Sequence, residues 1–228
     1  MKIVRRVEFE QDPQAAKARQ LQLARKLKLR PGVVSPALIG ATDVAYDKET
    51  DRAYAAVVVL DGETFEVVER ACWCGMPGYP YVPGLFALRE ASCLLEAFEL
   101  VEAVPDVVMV DGHGTAHPRR FGLACLLGWS LDVPTVGCAK RVLTGTYKNL
   151  GAHAGAQASL SLDGEEIGRA VRTQHGTNPV FASPGYGYDM ETAAELVVRT
   201  RGTFRIPEPL RQAHQYSIEL RAAGEEVS

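Results

Sequence analysis

Three acidic residues stand where the chain around them is apolar. In "GATDVAYD", Asp43 interrupts a run of strand-forming residues, where a buried carboxylate loses its hydration and needs a partner. In "VVMVDGHGTAHP", Asp111 closes a short apolar run of the buried parallel type, at the strand end where open α/β sheets place their ligands. Glu90 follows from helix geometry. At about 100° per residue it shares an arc with Phe86, Ala87, Leu94 and Ala97, while Arg89, Glu96 and Glu99 fall opposite. Three carboxylates on inward faces or element ends form a donor set for a hard divalent cation such as Mg2+, which takes oxygen ligands and shares its sphere with phosphate. Lys140, just past another strand end, adds a positive charge for a phosphate oxygen, so phosphoryl chemistry is expected. Taken singly, each residue has a plainer role open to it: Asp43 pairs with an arginine, Asp111 caps a turn, Lys140 stays solvated. The combination is what points to a site.

Positioning these groups falls to a recognisable series of elements. Residues 37–46, 53–60 and 65–73 read as three strands in a meander, separated by "DKETDR" and "DGET". A helix is predicted over 85–103, a buried strand at "DVVMVDG", a helix over 118–130 and a second buried strand at "VPTVGCAK". A hairpin about Asp163-Gly164, a strand at "PVFASPG" and a helix at "DMETAAELVVRT" follow. Three antiparallel strands continued by βαβ units predict an α/β fold, a mixed sheet flanked by helices. With 228 residues, 46% of them hydrophobic, the chain suits one domain spanning residues 1–228.

Composition excludes several classes. No apolar run approaches the roughly 18 residues needed to cross a bilayer, and "MKIVRRVEFE" has no apolar signal core, so no membrane partner and a cytoplasmic location are expected. Five cysteines, an odd number in mostly apolar segments, suit buried thiols in a reducing compartment. Cys72 and Cys74 lack a second pair at zinc spacing. His113 and His117 are spaced i, i+4, but the glycines around them favour a loop over a zinc-binding helix. A net charge of −3 argues against indiscriminate nucleic-acid binding. Charge is nonetheless clustered locally, at Lys17, Arg19, Arg25, Lys26, Lys28 and Arg30, for which an ordinary solvated helix face is the favoured reading when taken alone, and again at Arg119, Arg120, Lys140, Arg141 and Lys148.

The segments "PYVPGLFALRE", "VDGHGTAHPRRFGLA", "GCAK" and "RIPEPLRQAH", with the acid of "GATDVAY", resemble endonuclease V, a nuclease family acting on deaminated purines. The resemblance implies a ribonuclease H-like fold and Mg2+-dependent hydrolysis, with Mn2+ as an alternative ion. The bond cut is the second phosphodiester 3′ to a hypoxanthine, leaving a 3′-hydroxyl and a 5′-phosphate. DNA containing deoxyinosine is the implied partner and a monomer the expected state. Inosine in single-stranded RNA, or an inosine-binding module that does not cut, are the alternatives. Carried over by position, Asp43, Asp111 and Glu90 hold the metal, while His117 and Lys140 contact the cleavage region. His214 matches a position near the metal, its alternative being a surface histidine on an amphipathic C-terminal helix. The Pro-Tyr-Val-Pro turn implies a wedge, Tyr81, stiffened by Pro83 and filling the space left by a flipped nucleotide. The flipped base would lie against main chain at Gly84 and Leu85 and in the region of Gly112, Gly114 and Gly122. A related nuclease of the ribonuclease H type would share the acids but has no reason to carry the wedge. The chain departs from the family in "KRVLTG", where Arg141 and Val142 replace small polar residues, and in Tyr186, which stands at a usual histidine.

Overall fold

In the computed structural model, which describes residues 1–7, 12–82 and 84–224, the predicted meander is formed by β1 (Leu38–Tyr46), β2 (Ala53–Asp61) and β3 (Val67–Gly75). Its two turns are built alike. Asp47 Oδ1 accepts from the backbone N–H groups of Glu49 and Thr50 at 2.9 and 2.8 Å, and Asp61 Oδ1 does the same for Glu63 and Thr64. These side-chain acceptors replace the strand ladder where the chain reverses.

Next to β1 lie β4 (Val107–Val110) and then β5 (Thr135–Ala139), all three parallel. The hairpin of β6 (Gln157–Leu162) and β7 (Glu165–Val171) turns at Asp163 and Gly164, both at positive φ as a two-residue I′ turn requires. The strand β8 (Val180–Pro184) inserts antiparallel between β5 and β7, so the eight-stranded sheet runs β3-β2-β1-β4-β5-β8-β7-β6.

The helices cover both faces. Alternate residues of β2 divide between them: Ala55, Val57 and Val59 pack towards α1 (Pro13–Ala24), α2 (Phe86–Glu99) and α3 (Leu123–Leu131), whereas Val58 and Leu60 pack towards α4 (Met190–Arg199) and α5 (Glu208–Ala223). That period of two explains why β2 is apolar throughout. No helix among the described residues is long and apolar enough to cross a membrane.

Three expectations are corrected. The second helix stops at Glu99 rather than at 103, and the third begins at Leu123 rather than at 118. The chain before Leu123 folds back instead, with Gly122 N–H donating to Gly114 O and Ala124 N–H to His113 O. A Cβ at Gly122 would lie 2.3 Å from His113 O, so only glycine admits this crossing. Arg89, assigned to the solvent side of its helix, is 5% exposed. It pairs with Asp51 at 2.7 Å beyond β1 and lies 5.1 Å from the Tyr46 ring centre. Helical periodicity could not reveal that the β1–β2 turn supplies a carboxylate over this face.

Candidate active site

The parallel strands bring their C-terminal ends together, and register does the rest. Thr42 pairs with Val110, so Asp43 and Asp111 come level on adjacent strands. Lys140 leaves the end of β5 beside them, its Nζ 2.5 Å from Asp111 Oδ2. Glu90 enters from α2. All four line one pocket of about 800 Å³, together with His117 and His214.

Asp43 has the partners its strand position demanded, and both come from α5. His214 Nδ1 lies 3.1 Å and Ser217 Oγ 2.5 Å from Asp43 Oδ2. A carboxylate only accepts, so Nδ1 of His214 donates. Ser217 is a partner of Asp43 that sequence reading missed; its only signal is its place one helical turn after His214.

The electrostatics are those of crowded acids. Burial, then the Asp111 and Asp43 carboxylates, raise Glu90 well above the ordinary carboxylate range. Burial and the Asp43 carboxylate raise Asp111 to about 6 against the opposing pull of Lys140. Burial works against the Lys140 charge, but the Asp111 carboxylate outweighs it and the ammonium is held more tightly than usual. Among the described residues no three acid, imidazole or thiolate groups converge closely enough to cage a cation; Asp111 is turned to Lys140, and Asp43 to His214 and Ser217. The donor chemistry still fits a divalent cation, because oxygen ligands that raise one another's pKa are the groups such an ion relieves.

His117 is buried and its Nδ1 accepts from the Arg119 N–H at 3.2 Å. Burial, then the Arg119, His113 and Arg120 charges, lower it to about 3. It is therefore a neutral imidazole with a proton on Nε2. His113 also lines the pocket, tied through Nε2 to Arg141 O at 3.0 Å.

The predicted base-binding residues separate. Gly84, Gly112 and Gly122 line the pocket. Gly114 does not: a Cβ there would meet Pro184 O at 1.9 Å, so its glycine serves packing against β8. Leu85 buries its side chain in the core and donates its N–H to Val82 O at 2.9 Å. Tyr81 is 66% exposed and edge-on to Phe86, which lines the pocket, with ring centres 6.0 Å apart. Pro83 lies outside the described residues.

Residues 21–215 match the family model for endonuclease V. The chain belongs to the endonuclease V family. It is 41% identical over 218 residues to the endonuclease V of Myxococcus xanthus, covering 95% of this chain and 92% of that relative. The crystal structure of endonuclease V from Streptomyces avermitilis superposes with a TM-score of 0.87 at 40% identity, covering 93% of this chain and 95% of that one. Endonuclease V of Ciona intestinalis, solved with a 23mer DNA containing an inosine followed by a ribo-adenosine, superposes with a TM-score of 0.82 at 26% identity, covering 94% and 99%. The fold is thus ribonuclease H-like and the protein is an endonuclease, a hydrolase of nucleic-acid phosphodiesters. Against the endonuclease V pattern, Tyr186 turns out to stand away from the pocket. Its hydroxyl donates to Asp132 Oδ1 at 2.7 Å and its ring meets Trp129 edge-on, securing the end of α3.

Proposed function

We propose that this endonuclease V acts on DNA containing deoxyinosine, cutting the second phosphodiester 3′ to the lesion with Mg2+ and leaving a 3′-hydroxyl and a 5′-phosphate. The observation that carries the reading is the meeting of Asp43, Glu90, Asp111 and Lys140 in one pocket, with Tyr81 exposed beside Phe86 of its lining. Asp43, Asp111 and Glu90 would hold the ion, with His214 Nε2 as a further donor. Bound there, a divalent cation supplies Lewis-acid neutralisation of phosphate oxygens and acidifies water at neutral pH.

The protein's own groups do the remainder. His214 and Ser217 fix the orientation of Asp43, as outer partners of ligating carboxylates do. Lys140 offsets charge on a non-bridging or leaving oxygen. His117 stays neutral across the working pH range and donates from Nε2, so it positions a phosphate oxygen without competing for a proton. Arg141, exposed at the pocket edge, extends the grip on phosphate. Tyr81 stands far enough into solvent to enter a duplex and occupy the place of an extruded nucleotide. One lesion in one strand calls for no two-fold symmetry, so the active form is a monomer acting in the cytoplasm.

The test is cleavage, with Mg2+, of end-labelled duplex DNA bearing one deoxyinosine, its unmodified control and the matching single-stranded RNA pair. A discrete cut one nucleotide beyond the inosine, confined to DNA and abolished in Asp111→Asn while lesion binding persists, is the expected result. Preferential cutting of RNA would reassign the target, and selective binding without cutting would leave an inosine-binding module.

A further inference from the structure

The wedge turn is anchored by two arginines, and one of them is held in place by a residue no motif includes. Downstream of Tyr81, the Gly84 carbonyl accepts from Arg119 Nη2. Upstream, the Tyr79 carbonyl accepts from Arg89 Nη1 at a longer 3.5 Å. Arg89 is itself fixed by Asp51. Arg119 is fixed by Gln20, whose Oε1 accepts from Arg119 Nε at 2.6 Å while its Nε2 donates to Phe121 O at 3.1 Å.

Gln20 is as anomalous as Glu90. It lies on the inner stripe of α1 between Ala16 and Leu23, is 1% exposed, and has both ends of its amide bonded. A buried amide on an apolar stripe costs stability unless it is satisfied, and here each bond goes to the loop at 119–121 that borders the pocket. It also stands just outside residues 21–215, the stretch that matches the family model.

We infer that Gln20 is a positioning residue for lesion recognition: acting through Arg119, it holds the Gly84 end of the wedge turn in place on the pocket wall. The inference rests on the wedge reading of Tyr81. A rigid turn transfers its alignment to the base that it displaces, so loosening one anchor lowers the fraction of turns poised to enter a duplex. A single strand has no stack to open and depends on this alignment much less.

Two variants test it. Gln20→Met fills the same space without polar atoms. Gln20→Glu keeps an acceptor for Arg119 Nε, now as an ion pair, and turns the donation to Phe121 O into a contact between two acceptors. With deoxyinosine substrates, Gln20→Met should lower the ratio of duplex to single-strand kcat/KM about tenfold, the scale of one lost hydrogen bond to a charged group. Gln20→Glu should restore most of that ratio. Equal losses on the two substrates, an unchanged ratio, or a Gln20→Glu that behaves like Gln20→Met would each overturn the positioning role. If the unsubstituted protein cut neither inosine substrate while remaining folded, the proposed function would fall and this inference with it.

Discussion

Asp43 sits in a strand with a hydroxyl and an imidazole on one of its oxygens, and its usefulness depends on them. Ser217→Ala removes the 2.5 Å donor and leaves His214 alone to hold the carboxylate. Activity is expected to fall about tenfold or more, with a higher Mg2+ requirement, which a titration of rate against Mg2+ measures. Glu90 and Asp111 give a pH signature. Their folded pKa values are raised above the unfolded carboxylate value of about 4, Asp111 to about 6, so the folded protein holds extra protons between those limits. The Asp111 contribution to stability is whole below about pH 4 and is lost as pH rises through about 6 in the cation-free protein, and that of Glu90 is lost in the same direction. Mg2+ competes with those protons. Its effect on Tm at millimolar concentration should therefore be larger at pH 8 than at pH 5.5, and an equal shift at both would remove these acids from the ligand set.

The elements matter through what they hold rigid. Helix α2 presents Glu90 to the pocket, and Leu85 just ahead of it is buried in the core, so helix and acid form one packed piece. Tyr81→Ala should leave that piece intact. It should weaken selective binding of inosine-containing duplex more than it slows cleavage of a single strand, and equal losses in a paired binding and cleavage assay would sink the wedge role. The loop ahead of α3 is the counterpart on the other wall. There the chain crosses itself at Gly122, and the third helix begins later than periodicity predicts because those residues are spent on the crossing.

At the scale of the whole molecule, charge and its distribution pull in different directions. The chain carries a net −3, yet Arg141 lines the pocket and Arg19, Arg25, Lys26, Lys28, Arg30 and Lys148 are exposed. DNA binding should therefore weaken as salt rises, with log K falling by about 0.9 per phosphate neutralised for each decade of salt. A flat response of the measured Kd to salt would tell against these basic residues as the DNA surface.

Much of this was legible in the amino-acid order. Apolar alternation marked the meander, Asp163-Gly164 marked the hairpin turn, and the acids at 43, 90 and 111 stood out because charge on an inward face has an energetic cost that some function must justify. Periodicity reports which face a residue occupies and says nothing of what lies opposite. Only the tertiary structure decided that α5 delivers His214 and Ser217 to Asp43, 171 and 174 residues away, that Asp51 draws Arg89 inward, and that Gly114 serves β8. The insertion of β8 between β5 and β7 is likewise a matter of pairing across the sheet, for which strands of similar apolar pattern carry no local label. The sequence by itself determined which residues must be buried or charged; the packing of distant elements determined which of them meet, because partnership is a property of three-dimensional register and not of spacing along the chain.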